Sequence, residues 1–148
     1  MIAADSAAAR GEEDAMSLYM LLIYDDEKAG ESAPPEDGAK VMQAYYDFTE
    51  EVDSAGVVRH SAALQSVATA TTVRIRGGER LLTDGPFAET KEQLAGYYLV
   101  DCATLDEAIE WASRIPGATT GSVEVRPVMQ IPPRDQFEAD LAAASGRE

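Results

Sequence analysis

Hydrophobic and polar positions repeat with two different periods along this chain, and each change of period marks an element. Leu18 to Tyr24 is an unbroken apolar run, the pattern of a strand covered on both faces. Ser32-Ala33-Pro34-Pro35 reads as a loop whose prolines suit a helix entry. Glu36 and Asp37 then put negative charge in the first turn, where the helix dipole favours it. Val41, Met42, Tyr45, Phe48, Thr49 and Val52 recur at three- and four-residue spacing and predict one apolar stripe on that helix. Gly56 is a natural C-terminal glycine for it. Val57 to Leu64 predicts a second strand. Thr71, Val73 and Ile75 alternate with Thr72, Arg74 and Arg76, and Gly77-Gly78 turns this strand into a hairpin with Arg80-Leu81-Leu82-Thr83.

Gly96 to Asp101 predicts another apolar strand. Thr104, with Glu107 three residues on, is a capping box that opens a second helix. Leu105, Ala108, Ile109, Ala112 and Ile115 fall on its buried face, and Pro116-Gly117 ends it. Val123, Val125 and Pro127 alternate with Glu124 and Arg126 along a last strand. The predicted order is β-α-β, a hairpin, then β-α-β. That order predicts an α+β fold, a ferredoxin-like βαββαβ sandwich with an extra β-hairpin and two helices on one face of a mostly antiparallel sheet. Leu18 to Tyr24 and Tyr97 to Val100 are apolar on both sides, so the face away from the helices also needs a cover. An identical sheet from a second subunit supplies one, which predicts a homodimer; the alternative is an apolar ligand cleft in a monomer.

Residues 1–15 are rich in Ala, Asp and Glu without apolar periodicity and read as a disordered leader. The domain then spans 16–133, with Met16 as a second candidate start. Residues 134–148 form a C-terminal tail, a short acidic helix or a frayed end, set off by Pro132 and Pro133. Asp and Glu number 27 against 12 Lys and Arg, a net charge of −15. That balance disfavours direct nucleic-acid and membrane-surface roles; it reads first as a solubilising surface and leaves a basic protein as a possible partner. Cys102 is the only cysteine, so no intramolecular disulfide forms and a reducing, cytoplasmic location fits. The longest apolar run is far below the ~20 residues of a membrane helix. One histidine, one cysteine and scattered carboxylates give no metal set, and without a glycine-rich phosphate loop no cofactor is expected.

The segment Asp84-Gly85-Pro86-Phe87-Ala88-Glu89-Thr90-Lys91-Glu92-Gln93-Leu94-Ala95-Gly96-Tyr97-Tyr98 has a residue order that generic folding rules do not require. It resembles the signature of the DGPF branch of the YCII-related proteins. The resemblance continues through Leu105 to Ala112 and Gly121 to Val128 and covers about Leu18 to Val128. It implies the same sandwich, dimerised as in the dimeric α/β-barrel proteins, and no established reaction. It also implies a setting near extracytoplasmic-function sigma factors, hence a small ligand-binding or regulatory module with a basic partner such as a sigma factor. Some YCII-related proteins carry a histidine on the first helix paired with an aspartate. Tyr45 lies near that position here and the helix has no histidine, so the dyad does not carry over.

Candidate chemistry rests on few side chains. Asp84 is either a bend residue bonding nearby amides or a general acid/base and ligand group. His60 is the only histidine, and imidazole is the group that exchanges protons near neutrality; a structural role is its alternative. Asp84, with or without His60, is the pair a cofactor-independent hydrolase, isomerase or lyase would use. Tyr45, Glu89, Lys91 and Tyr97 are candidate ligand contacts. Glu89 and Lys91 read equally as an exposed charged turn, and Tyr97 as interface. Tyr97 and Tyr98 point to opposite faces of their strand. Trp111 and Cys102 read as packing residues.

Overall fold

A computed structural model describes residues 17–146. The leader, the candidate start at Met16 and the last two residues of the tail lie outside the described residues. The elements are β1 (Leu18–Asp25), α1 (Glu27–Glu31), α2 (Pro35–Ser54), β2 (Val58–Ala63), β3 (Thr71–Arg76), β4 (Glu79–Asp84), β5 (Gln93–Asp101), α3 (Leu105–Ser113), β6 (Ser122–Pro127) and α4 (Arg134–Ser145). Single 3-10 turns occupy Val67–Thr69 and Pro116–Ala118.

Four strands form the main sheet in the order β2-β5-β1-β6, every neighbour antiparallel. This is the split βαβ arrangement of the ferredoxin-like fold. The hairpin β3–β4 is a separate two-stranded sheet. Its turn residues Gly77 and Gly78 have φ of +58 and +79°, as a two-residue loop matching the strand twist requires.

Helices α2 and α3 cover one face. From β1, Leu21 and Ile23 point into the core, and from β5, Tyr98 and Val100 do; Phe48 and Val52 of α2 and Ala108 and Ala112 of α3 meet them. Phe48 packs edge-on against Tyr98 at 5.2 Å and against Trp111 at 6.3 Å, a geometry aromatic quadrupoles favour. Tyr98 also bonds Thr49 Oγ1 at 2.8 Å. Cys102 is fully buried.

Four details depart from the sequence expectation. The predicted stripe on α2 is buried only in its C-terminal half: Val41 and Met42 are 50 and 55% exposed. A helix of 20 residues is about 30 Å long and overhangs the sheet beneath it. On α3, Leu105 and Ile109 are likewise exposed while Ala108 and Ala112 are buried, as is Ile115 just past its end. Helix α1 was not foreseen; it is a short turn capped by Asp26, whose carboxylate accepts from the amides of Lys28 and Ala29. The C-terminal tail is helical over Arg134–Ser145. Thr104 caps α3 as read, its Oγ1 accepting from Glu107 N, but the return bond differs from the expected box: Glu107 Oε2 accepts from the amide of Ala103, one residue before the cap.

Candidate functional site

The face of the sheet away from α2 and α3 is open. Strand alternation puts Met20 and Leu22 of β1 on it beside Leu99 and Tyr97 of β5, and past a register shift after Ile23 the pair Tyr24–Leu94 follows. Glu124 and Arg126 of β6 border it on one side, through the pairs Leu22–Glu124 and Met20–Arg126. On the other side stand Ala62 opposite Tyr97 and His60 opposite Leu99. The apolar floor is half-buried and its histidine exposed.

His60 reaches this face through a bulge. Val58 pairs with Val100 on the helix side, but the next pair is His60 with Leu99 on the open side, so Arg59 is an extra residue in the ladder. In a regular strand Val58 and His60 would share a face. The bulge is pinned: Arg59 donates to the fully buried Asp101 carboxylate at 2.9 Å and to Gly56 O at 3.1 Å. Arg59 thus acts as a positioning residue for the imidazole.

His60 Nδ1 and the Tyr97 hydroxyl are 2.6 Å apart, and the two rings lie nearly parallel with centroids at 5.7 Å. The hydroxyl and the imidazole form one hydrogen-bonded pair over an apolar floor. Across the sheet, Tyr24 Oη and Glu124 Oε1 are 3.5 Å apart, and Arg126 forms an ion pair with Glu124. Polar groups therefore stand at both margins of the floor.

The other candidates lie elsewhere. Asp84 ends β4 in the separate hairpin, and its carboxylate forms no hydrogen bond among the described residues. The bend beside it is held by the backbone bond from Gly85 N to Ala70 O at 2.7 Å and by Thr72 Oγ1 donating to Gly85 O at 2.8 Å. Gly85 adopts φ +103°, open to glycine and strained for other residues. Asp84 and His60 sit in different sheets, and no bond joins them. Glu89 and Lys91 are exposed on the loop before β5. Tyr45 belongs to the helix side: its hydroxyl accepts from Gly117 N at 3.1 Å. Burial raises the Tyr45 hydroxyl above the usual tyrosine value; the Gly117 amide pulls the other way, and Tyr98 and Asp25 add to the rise.

Tyr24, Glu124 and Arg126 were not singled out from sequence. The alternation of Glu124 and Arg126 in β6 was legible, but their places beside Leu22 and Met20 of β1 need the β1–β6 register. A shallow depression of about 370 Å³ between α1 and the end of β2 is lined by Glu27, Leu64, Ser66 and Ala95 among others. Glu27 there is already committed, accepting from Ser66 Oγ at 3.0 Å and Val67 N at 3.1 Å. The depression contains neither His60 nor Asp84, and the chemistry points to the open face instead. No group of three His, Cys, Asp or Glu side chains suited to a metal occurs among the described residues. Nor is any helix among them long and apolar enough to cross a membrane.

Residues 17–132 match the YCII-related domain. An uncharacterised protein of Rhizobium meliloti (strain 1021) is 42% identical over 118 residues, which span 78% of this chain and 95% of that protein.

Proposed function

The chain belongs to the YCII-related family, and from that premise we propose that it is a homodimeric small-ligand-binding module whose working surface is the open sheet face. One observation carries this: the hydrogen-bonded His60–Tyr97 pair, at 2.6 Å, beside the uncovered floor of Met20, Leu22 and Leu99. Half-exposed apolar side chains in the middle of a sheet stay wet unless something covers them. A second copy, its sheet stacked about 10 Å away, covers the floor and leaves the margins as clefts. A ligand with a flat apolar part and one hydrogen-bonding group fits such a margin: the floor takes the first, the His60–Tyr97 pair the second.

The net charge of −15 is compatible with a basic protein partner as well as with a merely solubilising surface; the sigma-factor setting is suggested by the resemblance to the DGPF branch, and the single cysteine fits a reducing cytosol. The same pair also supports a second reading, a cofactor-independent acid–base enzyme in which His60 moves the proton and Tyr97 orients it. Asp84 would enter that reaction only if the second subunit brought it to the face.

A thermal-shift screen of small aromatic and carboxylic metabolites tests the proposal. A ligand at a hundred times its Kd stabilises the wild-type fold by about 2.7 kcal/mol. His60→Ala and Tyr97→Phe are expected to lose most of that shift while keeping their own melting temperature. Ligands that stabilise both variants as well as wild type would place the site elsewhere.

A further inference from the structure

The His60–Tyr97 pair restricts its ligand through the donors and acceptors it leaves free. A neutral imidazole has one donor and one acceptor, and a phenol has one donor and two lone pairs. The 2.6 Å bond between Nδ1 and the hydroxyl consumes one donor and one acceptor. If the hydroxyl donates, the free donor is Nε2–H; if Nδ1 donates, it is the hydroxyl hydrogen, and Nε2 accepts. The neutral pair therefore offers one free donor in either tautomer. Protonation of the imidazole changes that count without breaking the bond. Nδ1–H then donates to the tyrosine oxygen, and both Nε2–H and the hydroxyl are free donors beside a positive charge. A carboxylate has two oxygens and only accepts, so it complements the protonated pair.

The chain supplies no counter-charge for that form. Among the described residues Nε2 has no hydrogen-bond partner, and no ion pair includes His60. β2 is an edge strand, and its one neighbour, β5, puts Leu99 and Tyr97 beside the imidazole. Arg59, next to it in β2, is bound to Asp101 on the helix side. Across the open face one row runs His60, Leu99, Met20, Arg126. The next charged group in that row is thus three strands, or about 14 Å, away, and Arg126 is already paired with Glu124. Salt screens charges over about 8 Å, which damps the field of the chain's net charge of −15 at this margin. The surface beside the pair is flat and apolar. The two rings lie within 20° of parallel, Leu99 and Leu22 continue the floor, and the residue opposite Tyr97 is only Ala62.

We infer that the ligand of this site is a flat, ring-bearing monocarboxylate, bound with uptake of one proton at His60. This names the ligand class of the small-ligand reading above and rests on that reading. The ring lies on the floor, and the carboxylate takes the two donors of the protonated pair. Linkage fixes the sign of the pH dependence. Affinity is greatest where the imidazole is already protonated. Above that range it falls about tenfold per pH unit, because binding must then draw a proton from solvent.

Isothermal titration calorimetry of the full chain with benzoate and with benzamide, between about pH 5.5 and 8.5, tests this. The probes share a ring and differ in charge. Benzoate is expected to bind with uptake of about one proton at the alkaline end and less at the acid end, read from buffers of different ionisation heat. Its Kd rises about tenfold per pH unit on the alkaline side. Benzamide is expected to bind about tenfold more weakly at the acid end, with a Kd that pH does not move. His60→Gln removes the proton uptake and the pH dependence together. Tyr97→Phe deletes one donor and raises the benzoate Kd about tenfold, but keeps the proton uptake, which a purely structural tyrosine would not separate. Benzamide binding as tightly as benzoate, or benzoate binding without proton uptake or not at all, overturns this inference. The small-ligand reading then stands if the thermal shifts given by other ligands still require His60 and Tyr97, and falls if they do not. The proton count and the contrast between probes are read on the wild type, so they decide even where a variant fails to fold.

Discussion

The imidazole of His60 reaches the open face because Arg59 is one residue too many for the β2–β5 ladder. A side chain's direction in a strand is a matter of parity, and a bulge changes parity for everything after it. Asp84 shows the opposite relation between residue and role. It heads the most distinctive segment of the sequence, yet the bend beside it is held by Gly85 and Thr72. Asp84→Ala is therefore expected to change stability by less than about 0.5 kcal/mol. Gly85→Ala, forced to hold φ +103°, is expected to cost about 1–2 kcal/mol. Urea denaturation of the two variants checks this, and a reversed order would return the bend to the Asp84 carboxylate. Gly96 in the same segment is constrained by space: a Cβ there would stand 2.6 Å from Ala62 O on the edge strand.

Among the elements, α2 is tied to the far end of the fold by one hydroxyl, Tyr45 on the amide of the buried Gly117 in the turn after α3. Tyr98, from the sheet beneath, is also raised above the ordinary tyrosine value, by burial first, against the opposing bond to Thr49. The folded state therefore prefers both phenols protonated. Their contribution is complete below the unfolded tyrosine pKa of about 10 and is lost as pH climbs through the higher folded values. Stability should hold up to about pH 10 and fall beyond it, and Tyr45→Phe should flatten part of that fall. At neutral pH the same substitution leaves the Gly117 amide without its acceptor, at about 1 kcal/mol. Denaturation curves between neutral and alkaline pH check both; an unchanged alkaline limb in Tyr45→Phe would remove this phenol from the account.

At the scale of the whole molecule, the half-buried apolar floor of the open face calls for a cover. Two sheets in contact predict a particle of twice the 15.8 kDa chain mass by light scattering at micromolar concentration. They also predict a melting temperature that rises with protein concentration, since association stabilises the folded form by mass action. Leu22→Asp, in the middle of the floor, should abolish both effects. A wild-type melting temperature independent of concentration, with a monomer mass, would leave the face as a ligand surface alone.

The chain's own periodicity determined much of this protein. The unbroken run Leu18 to Tyr24, the Thr104 cap, the Gly77-Gly78 turn and the order of elements all rest on local energetics, which neighbours in sequence supply. The charge balance and the Asp84 to Tyr98 segment were legible in the same way, and with them the family. Tertiary structure decided what depends on distant partners. Strand register brought His60 to Tyr97 and Glu124 to Leu22, across separations no periodicity encodes. The limited area of a four-stranded sheet left Val41 and Met42 of a correctly foreseen stripe in water. The bulge at Arg59, held by an aspartate 42 positions away, set the direction of the only histidine. Local patterns fix elements because their energies are summed over near neighbours; the site is a meeting of strands, and only packing arranges it.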